Sequence, residues 1–367
     1  MSKYQITLTP VDKFFFGGDM TFKVGNENDE FNEKYSSYII KSLMFPQQTS
    51  LLGMLRFLIL RNAGEDVFKD GKIVNKQKAK ELIGGQSFSV NKDHQANQFG
   101  NINCITGVKI RRISSKNVSD LEFAPLVTDC NFDNSSTGTY NLCEFCIPDI
   151  PKYKAKEGLS TYLTDGKAPY ELFSLFKEDR RIGIDRDFNT GKTDRSANID
   201  KDEEDDGTLF KQISYRFDNS DAQHCFVFDA EVDDSVRLED YSGQIVSVGG
   251  DNSQFVIGIS KEIQGKVIIP PLSSAIQILS PTFLQRDEAR KSKFAVTNLQ
   301  PFRFLESKMD STHSYHILSR SLTRSAKYQL YAPGSVFFFE DEQQKEEFAK
   351  MIESKEDFRQ IGYNEYQ

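Results

Sequence analysis

Apolar residues recur at helical spacing in one stretch of the chain, directly after a proline-containing turn. Leu51, Leu55 and Leu58 fall on one face of a helix that we predict at about residues 50–62. Most of the other residues in this stretch are apolar as well. A helix that is apolar nearly all round is covered on most sides, so this pattern predicts a largely buried helix.

The start of this helix is marked by its sequence. Pro46 disfavours helical geometry in Phe45, and we predict that Thr49 or Ser50 caps the first turn. Gly53 lowers the helix propensity at an interior position. Its presence predicts that another backbone segment passes close to the helix at that point.

Arg56 is the only charged residue between Phe45 and Leu60. It requires a partner, and two partners remain open. One is a distant carboxylate in a buried ion pair, which this stretch alone favours. The other is an anion such as a phosphate backbone, which Arg56 would face together with the polar turn from Gln47 to Ser50.

Alternating apolar and polar residues predict strands along the rest of the chain, with few helices between them. Strands are predicted at 4–8, 102–113, 224–232, 245–251, 255–259 and 335–339, and short helices at 76–83, 172–176, 235–241 and 343–352. Residues 179–217 are predicted to form a long hairpin with a flexible tip, and 129–160 an insertion. Because strands and helices do not alternate regularly, the pattern predicts an α+β fold.

Composition narrows the functional classes. The chain has 367 residues, which suffices for roughly two domains, and its core is rich in phenylalanine, with 30 Phe and no Trp. No segment is long and apolar enough to span a membrane, and the N-terminus lacks the layout of a signal peptide. Five cysteines without a secretory signal predict a reduced, cytoplasmic protein.

Charge is distributed unevenly. The net charge is −8, which argues against indiscriminate binding of nucleic acid. Residues 286–327 nevertheless contain nine Lys or Arg against four acidic residues. Two further basic clusters are Lys109, Arg111, Arg112 and Lys116, and Arg180, Arg181, Arg186, Lys192 and Arg195. This segregation predicts a local polyanion site, with ordinary surface variation as the alternative.

Other candidate chemistry is weaker. The segment from Asn189 to Thr193 ends like a phosphate loop, but Arg186 stands where the first glycine belongs, so we reject a P-loop. Cys143 and Cys146, with Cys130 upstream, lack a second ligand pair, and only His224 and Cys225 remain for a zinc site. Reduced structural thiols fit these cysteines better, and we predict no metal and no cofactor.

Histidines and paired carboxylates are the candidate catalytic groups. His313 and His316 could serve as general bases of a nuclease, although no carboxylate motif accompanies them. The pairs Asp185/Asp187 and Asp233/Asp234 lack a third carboxylate at fixed spacing and fit solvated surface charge.

Taken in order, several short motifs resemble one family. They are Phe14 to Asp19, Phe45-Pro-x-x-Thr-x-x-x-Gly-x-x-Arg56, Arg181 to Thr193 with Gly207 to Phe210, Val248-Gly-Gly-Asp251, Ser280 to Leu284, Ala332 to Phe339 and Ile361-Gly-Tyr-Asn364. This series resembles the RAMP-superfamily subunit of type III-B CRISPR effector (Cmr) complexes that caps the 5′ tag of the guide RNA (crRNA).

The resemblance implies a fold and partners. It implies two ferredoxin-like (RRM-like) domains with insertions, at 1–220 and 221–367, and a β-hairpin thumb at about 179–217 that kinks the RNA. It also implies antiviral defence without catalysis by this subunit. The expected partners are the crRNA 5′ tag, the large polymerase-palm subunit and a neighbouring backbone RAMP subunit, with no membrane.

The resemblance and the basic clusters together predict the RNA-binding residues. These are Gln47, Gln48, Thr49, Ser50, Arg56, Arg111, Arg112, Arg180, Arg181, Gly183, Arg186, Thr190, Lys192, Thr193, Gly249, Gly250, Arg320, Arg324, Lys327, Gly334 and Ser335. Asp251-Asn252 departs from the family pattern, as does the absence of a Gly-Trp pair before Lys327, and both departures concern RNA contacts rather than the fold.

Two rival functions stay open. One is a RAMP-type endoribonuclease that processes precursor crRNA, for which His313 and His316 are the candidate bases. The other is a structural adaptor that makes no contact with RNA.

Overall fold

The computed structural model describes residues 1–17, 20–24, 37–115, 117–126, 159–184, 209–265, 275–306 and 323–367. The strands in the first half are β1 (Ser2–Pro10), β2 (Met20–Val24), β3 (Ser37–Lys41), β4 (Phe68–Lys69), β5 (Lys72–Ile73), β6 (Ile102–Ile105), β7 (Lys109–Ile113), β8 (Val118–Phe123), β9 (Tyr162–Thr164), β10 (Pro169–Glu171) and β11 (Phe176–Ile184).

The strands in the second half are β12 (Leu209–Phe217), β13 (Gln223–Val232), β14 (Ile245–Ser247), β15 (Gln254–Ser260), β16 (Ala275–Gln277), β17 (Phe294–Val296), β18 (Leu299–Phe302), β19 (Leu305–Glu306), β20 (Thr323–Arg324), β21 (Tyr328–Tyr331) and β22 (Val336–Phe338). The helices are α1 (Gln48–Arg61), α2 (Lys76–Ile83), α3 (Arg286–Ala289), α4 (Glu342–Glu353) and α5 (Glu356–Arg359).

An antiparallel sheet forms the centre of the molecule. Its strand order is β10-β9-β8-β7-β13-β1-β15-β14, and β6 also pairs with β13. The central strand β1 places Ile6 opposite Phe228 of β13 and Ile259 of β15. Because alternate residues of a strand face opposite sides, Tyr4, Ile6 and Leu8 all enter the core, as the alternation in the sequence predicts.

Helix α1 packs on this core. Leu51, Leu55 and Leu58 are fully buried in one cluster with the apolar residues of β1. The helix begins at Gln48, and its N-cap residue is Gln47, whose side chain makes no capping hydrogen bond. The prediction that Thr49 or Ser50 caps the helix is therefore wrong, because the helical geometry starts before them.

The prediction that another backbone segment passes close to Gly53 is also wrong. No atom lies within 4 Å of the position that a Cβ of Gly53 would occupy, and the residue is exposed. Phe57, one turn later, is 40% exposed. The helix is therefore not covered all round: a strip of its surface that includes Gly53 faces open space.

A smaller sheet carries the two strands of the predicted hairpin. Its order is β11-β12-β3-β2, and β11 pairs with β12 from Phe176 opposite Phe217 to Ile184 opposite Leu209. Phe14 attaches this sheet to the core, since its N–H donates to the Tyr215 carbonyl at 2.7 Å and its carbonyl accepts from the Tyr215 N–H at 3.0 Å. The flanking strands of the hairpin are thus as predicted, and its tip lies outside the described residues.

The C-terminal region adds the sheet β16-β22-β17 and the strand pairs β18-β21 and β19-β20. Phe348 and Ile352 of α4 pack with Phe337 in a second core cluster. The last residues then return to the earlier chain. Asn364 accepts a hydrogen bond from the Phe283 N–H at 2.8 Å, so two of the motifs noted in the sequence pack on each other.

These elements make a mixed α+β protein that is mostly strand, which confirms the predicted class. The predicted strand 102–113 is two strands, β6 and β7, separated at Gly107, whose N–H donates to the Glu365 carboxylate. The predicted helices at 172–176 and 235–241 are 3-10 turns over Leu172–Leu175 and Leu238–Tyr241.

The central sheet includes strands from both sides of residue 220, because β13 and β15 pair with β1. The division into 1–220 and 221–367 stays a prediction. Within the described part of the chain, no helix is long and apolar enough to cross a membrane.

Candidate nucleic-acid interface

A groove of about 840 Å³ runs between α1 and the C-terminal strands. We call it the basic groove, and its polar and charged lining residues are Gln47, Thr49, Ser50, Arg56, Ser87, Arg303, Arg324 and Lys327. Apolar residues complete the lining: Phe16, Ile40, Leu43, Leu52, Phe88, Pro301, Phe302, Phe304 and Leu305, together with Gly17 and Gly53. Two sequence clusters that were predicted separately therefore meet in one site.

The start of α1 forms one wall. Ser50 N–H and Leu51 N–H both donate to the Gln47 carbonyl, at 2.9 and 3.2 Å. The first turn contains no acidic residue, so the partial positive charge at the helix N-terminus is not offset within the turn. One turn further, Gly53 leaves this wall without a side chain, and the half-buried Arg56 follows it.

Arg56 is held by the protein as well as facing the groove. Its Nη2 donates to the carbonyl of Gly84, which follows α2, at 3.4 Å. This contact fixes the guanidinium at the groove wall. The structure thus places Arg56 at an open basic site and gives it a backbone carbonyl as a partner.

The opposite wall is formed by the short link between β18 and β19, in which buried and exposed residues alternate. Phe302 and Phe304 are buried, while Arg303 between them is exposed. Phe304 N–H donates to the Ser325 hydroxyl at 3.1 Å, which ties this segment to the chain on either side of Ser325. Arg324 precedes that serine and is also exposed. The backbone pairing therefore brings Arg303 and Arg324 to the same wall.

The charge of the groove is uniform. Four basic residues, Arg56, Arg303, Arg324 and Lys327, line it, and no acidic residue is among its described lining residues. Arg303 and Arg324 form no ion pair with another described residue. In a chain of net charge −8, this is a local concentration of positive charge that would attract a polyanion.

Gln48 does not share this groove. It is 3% exposed, and its Nε2 donates to the Gly362 carbonyl at 3.4 Å. Its position in the first turn of α1 turns it toward the C-terminal tail, away from its neighbours Gln47 and Thr49. Gln48 instead lines a second, smaller cavity, so the basic groove gives no support to the prediction that Gln48 contacts RNA.

Arg111 is also buried, with 6% of its surface exposed. Its Nε and Nη2 donate to the Asp120 carboxylate at 2.6 and 3.0 Å, and Nη2 donates to the Gln264 carbonyl at 2.6 Å. The guanidinium is thus occupied by partners within the protein. This placement corrects the expectation that Arg111 is available to RNA.

Arg112 and the described residues of the hairpin lie away from the basic groove. Arg112 Nη2 donates to Asp221 at 3.0 Å, and its guanidinium lies 5.5 Å from the centre of the Tyr170 ring. Arg180 donates twice to Glu178, at 3.1 and 2.8 Å. Arg181, two positions before Gly183, lines a separate small cavity with Gln212 and Asp251.

The glycine pair at 249–250 approaches the protein's own backbone. A Cβ on Gly249 would lie 2.5 Å from the Phe15 carbonyl oxygen, and the residue has φ +87°. Gly250 N–H donates to that same carbonyl at 2.8 Å. The absence of side chains here is explained by packing on Phe15. Gly249 itself is exposed, so the contact of this pair with RNA stays a prediction.

The pair Gly334-Ser335 is internal too. A Cβ on Gly334 would lie 2.8 Å from the Ala124 carbonyl oxygen, at φ +87°. Ser335 is fully buried, and its hydroxyl donates to the Ala332 carbonyl at 2.6 Å. The expectation that this pair contacts RNA is corrected, because both residues are buried and serve the packing of the C-terminal region.

Several predicted residues fall outside the described ranges. They are Arg186, Thr190, Lys192, Thr193 and Arg320, together with the alternative candidates His313 and His316 and the cysteines Cys130, Cys143 and Cys146. The structure does describe Cys225, whose thiol has its pKa raised to about 11 by burial. Cys225 and His224 are adjacent in β13 and so face opposite sides of the sheet, which separates them as metal ligands.

Sequence reasoning missed Arg303 and the aromatic residues around it. Arg303 was counted in the basic cluster 286–327 but was not singled out as a site residue. The alternation Phe302-Arg303-Phe304 was a usable signal, since two buried phenylalanines in a strand pattern put the residue between them on the opposite face. Phe88 and Phe16 carried no such signal.

Comparison with known families identifies the chain. The model of the family "CRISPR-associated protein (Cas_Cmr3)" matches residues 6–145 and 144–366. The chain therefore belongs to the Cas_Cmr3 family of CRISPR-associated proteins. This match confirms that the chain is a CRISPR-associated Cmr subunit, while its place in the RAMP superfamily and its capping of the 5′ tag stay predictions. A search of curated protein sequences found no match.

Two solved structures of one assembly, the Type III-B Cmr-beta, contain a chain that is similar to this one. The chain is similar, at 13% identity and TM-score 0.48, to a chain of the "Cryo-EM structure of the Type III-B Cmr-beta bound to cognate target RNA", with 99% of this chain and 96% of that chain covered. A second, of that assembly bound to cognate target RNA and AMPPnP in state 1, gives 14% identity and the same TM-score and coverage.

Proposed function

We propose that this chain is a guide-RNA-binding subunit of a type III-B CRISPR (Cmr) effector complex, and that it holds the 5′ tag of the crRNA in the basic groove. Membership of the Cas_Cmr3 family supports the complex. The single observation that supports the site is that four basic residues and no acidic one line the described part of the groove.

The groove suits a single RNA strand. Basic side chains and backbone N–H groups at a helix start would contact phosphates, and these contacts would position the strand without reading its sequence. Each basic residue that neutralises a phosphate also releases a counterion, which makes binding sensitive to salt. The acidic remainder of the chain would repel RNA, so binding would be restricted to basic surfaces such as this groove.

The order of four strands supports a ferredoxin-like N-terminal domain, the architecture expected of the RAMP superfamily. In the sheet, β15, β1, β13 and β7 lie in that order, which is fourth-first-third-second by chain position. Helix α1 lies between the first and the second of these in the chain. This is the sheet order that a βαββαβ unit produces, with the 3-10 turn Leu238–Tyr241 where its second helix belongs. A second such domain remains part of the proposal.

The hairpin of β11 and β12 is the proposed thumb. Its strands extend from the small sheet, and Arg180 and Ile182 on β11 are exposed, Ile182 by 67%. An exposed aliphatic side chain can wedge against a base while a basic neighbour binds a phosphate. The large polymerase-palm subunit and a backbone RAMP subunit are the proposed protein partners, in the cytoplasm.

We propose a role without catalysis. The described lining of the groove contains no histidine and no carboxylate, the side chains that most often act as general bases in RNA cleavage. An endoribonuclease that uses His313 and His316 is the alternative. It predicts shortened RNA, and replacing both histidines by alanine would then prevent the shortening.

The test uses the full chain and end-labelled RNA carrying either the 5′ repeat sequence of the host CRISPR locus or a scrambled version. Binding is followed by fluorescence anisotropy at several salt concentrations, with and without the large subunit, and the RNA is then run on a denaturing gel. We expect intact RNA and tighter binding of the natural tag, most clearly with the large subunit present.

Charge reversal tests the groove itself. The double variant Arg303→Glu/Arg324→Glu is expected to bind RNA at least ~10-fold more weakly and to lower the slope of log K against log salt by about 1.4, the value for two phosphate contacts on a single strand. The matched control is Arg237→Glu/Arg359→Glu, which changes the charge equally at exposed sites outside the groove. Equal losses in both variants would contradict the assignment of the groove.

A further inference from the structure

A second, smaller cavity adjoins the basic groove. It has a volume of about 250 Å³, and we call it the apolar pocket. Its lining includes Phe45, Phe123, Pro281, Leu299, Phe302 and Tyr363. No charged residue is among its described lining residues, in contrast to the neighbouring groove.

The two cavities are neighbours that share part of their walls. Leu43, Gln47, Pro301 and Phe302 line both of them. Gln47 precedes the first turn of α1, and Pro301 precedes Phe302 in β18, so the boundary lies between the helix start and this strand. A ligand whose anionic part occupies the groove can therefore place an uncharged part in the pocket without leaving the protein surface.

The size and lining of the pocket suit a flat heteroaromatic ring. A cavity of about 150 Å³ lined by apolar side chains holds benzene, and this pocket is larger. Phe45 and Phe123 are in contact, with ring centres 5.4 Å apart. Burial raises the pKa of the Tyr363 phenol, so this side chain also stays uncharged at neutral pH. Aromatic surfaces of this kind stack on nucleobases of any sequence.

Amide side chains give the pocket hydrogen-bonding capacity, since Gln47, Gln48, Asn298 and Gln300 are among its lining residues. Gln47 and Gln300 line it, both are half-buried, and neither side chain hydrogen bonds to another described residue. An amide group offers a donor and an acceptor side by side, which matches the edge of a base. The pocket therefore combines stacking surfaces with groups that can read a base.

We propose that the apolar pocket binds one nucleobase of the RNA, turned out of the strand, while the adjacent phosphates lie in the basic groove. This inference rests on the proposed function, because it takes RNA as the ligand of the groove. It adds a base-binding site to a groove that otherwise holds only the backbone. An apolar side chain of a partner subunit is the competing occupant.

The experiment is an abasic scan. The full chain, with the large subunit present, is titrated with RNAs of the natural 5′ tag that each lack one base, and each affinity is compared with that of intact RNA. We expect one position to weaken binding about 10-fold, within the range measured for loss of one stacked base. The phosphate charge is the same in all these RNAs, so the salt dependence is expected to stay unchanged.

Two variants connect that position to the pocket. Ala332→Phe fills the pocket from its half-buried lining, and its control is Ala168→Phe, in a turn away from both cavities. Gln300→Leu keeps the shape and removes the amide, and its control is Gln329→Leu on the exposed side of β21. We expect Ala332→Phe to bind intact RNA about 10-fold more weakly and to be insensitive to the abasic position, and Gln300→Leu to lose part of that difference.

The outcomes separate this inference from the proposed function. If the protein binds the tagged RNA normally and no single missing base weakens binding, the base site is overturned and the assignment of the basic groove stands. Failure of the wild-type chain to bind tagged RNA at all would overturn both. If no missing base weakens binding but Ala332→Phe weakens association with the large subunit, the pocket binds a protein side chain instead.

Discussion

Arg111 on β7 and Asp120 on β8 form a buried, two-pronged ion pair, with Nε–Oδ1 and Nη2–Oδ2 distances of 2.6 and 3.0 Å. Both side chains are less than 10% exposed. Arg111 belongs to a basic cluster in the sequence, yet its charge is neutralised where it lies. A cluster of basic residues in a sequence therefore does not by itself identify an RNA-binding surface.

Replacing Arg111 by leucine is expected to destabilise the protein without altering the RNA site. The substitution leaves the Asp120 carboxylate buried without its partner, a change that typically costs about 3–5 kcal/mol. Urea denaturation measures the loss. The double variant Arg111→Leu/Asp120→Leu is expected to recover much of it, and the salt slope of RNA binding by the folded variant is expected to match the wild type. A reduced salt slope would return Arg111 to the RNA-binding residues.

Gly53 faces the basic groove, and nothing lies within 4 Å of where its Cβ would be. Gly53→Ala is therefore expected to raise the free energy of unfolding by about 0.5–1 kcal/mol, because alanine is the better residue inside a helix. Gly53→Glu is expected to weaken RNA binding about 10-fold by placing a carboxylate beside Arg56. Thermal and denaturant unfolding measure the effect of Gly53→Ala, and fluorescence anisotropy measures the effect of Gly53→Glu. If Gly53→Ala destabilises the protein, the surface at Gly53 is not open.

Replacing Gly249 by alanine is expected to have the opposite effect on stability. Alanine there would bring a Cβ within 2.5 Å of the Phe15 carbonyl oxygen at a positive φ, so we expect a loss of about 1–3 kcal/mol of stability. RNA affinity of the remaining folded protein is expected to be unchanged. If stability were retained while RNA affinity fell, the loop would contact RNA after all.

The titration of Glu365 is expected to make the free energy of unfolding depend on pH. Desolvation raises the pKa of its carboxyl from 4.5 to about 6 in the folded protein. As the pH rises, the unfolded chain releases this proton first, so the free energy of unfolding falls between these two values and stays lower above them. The contribution is about 1–2 kcal/mol.

The variant Glu365→Gln keeps an acceptor for the Gly107 N–H and removes the titration. Its unfolding free energy, measured in urea from about pH 4 to pH 7, is expected to lack this fall. The control Glu346→Gln, at an exposed position of α4, is expected to follow the wild-type profile. Identical profiles for Glu365→Gln and the wild type would show that another group is responsible.

Local patterns in the sequence were sufficient for the longest elements of the fold. The helix predicted at 50–62 is α1 over Gln48–Arg61, and the predicted strand 224–232 is β13 over Gln223–Val232. Both rest on periodicity over many residues, which a few boundary errors do not disturb. The short elements failed where a single residue decided the geometry, as at Gly107 between β6 and β7.

The candidate site was predicted only in part, because it depends on contacts between distant segments. Arg56, Arg324 and Lys327 were selected from the sequence, but nothing local indicated that they line one groove. Nor could the sequence distinguish glycines that pack on the protein, such as Gly249 and Gly334, from the open Gly53. Pairing partners in the fold decide these cases, as Asp120 does for Arg111.

Photo-crosslinking tests directly whether the basic groove holds the 5′ tag of the crRNA. The complete effector complex is assembled with crRNA that carries a photoreactive nucleotide at one position of the 5′ tag, and crosslinked peptides of this chain are identified by mass spectrometry. We expect crosslinks to peptides that contain residues 47–56 and residues 301–305 or 324–327, which include the lining of the basic groove. Tag crosslinks confined to other surfaces of this chain, or to other subunits, would contradict it.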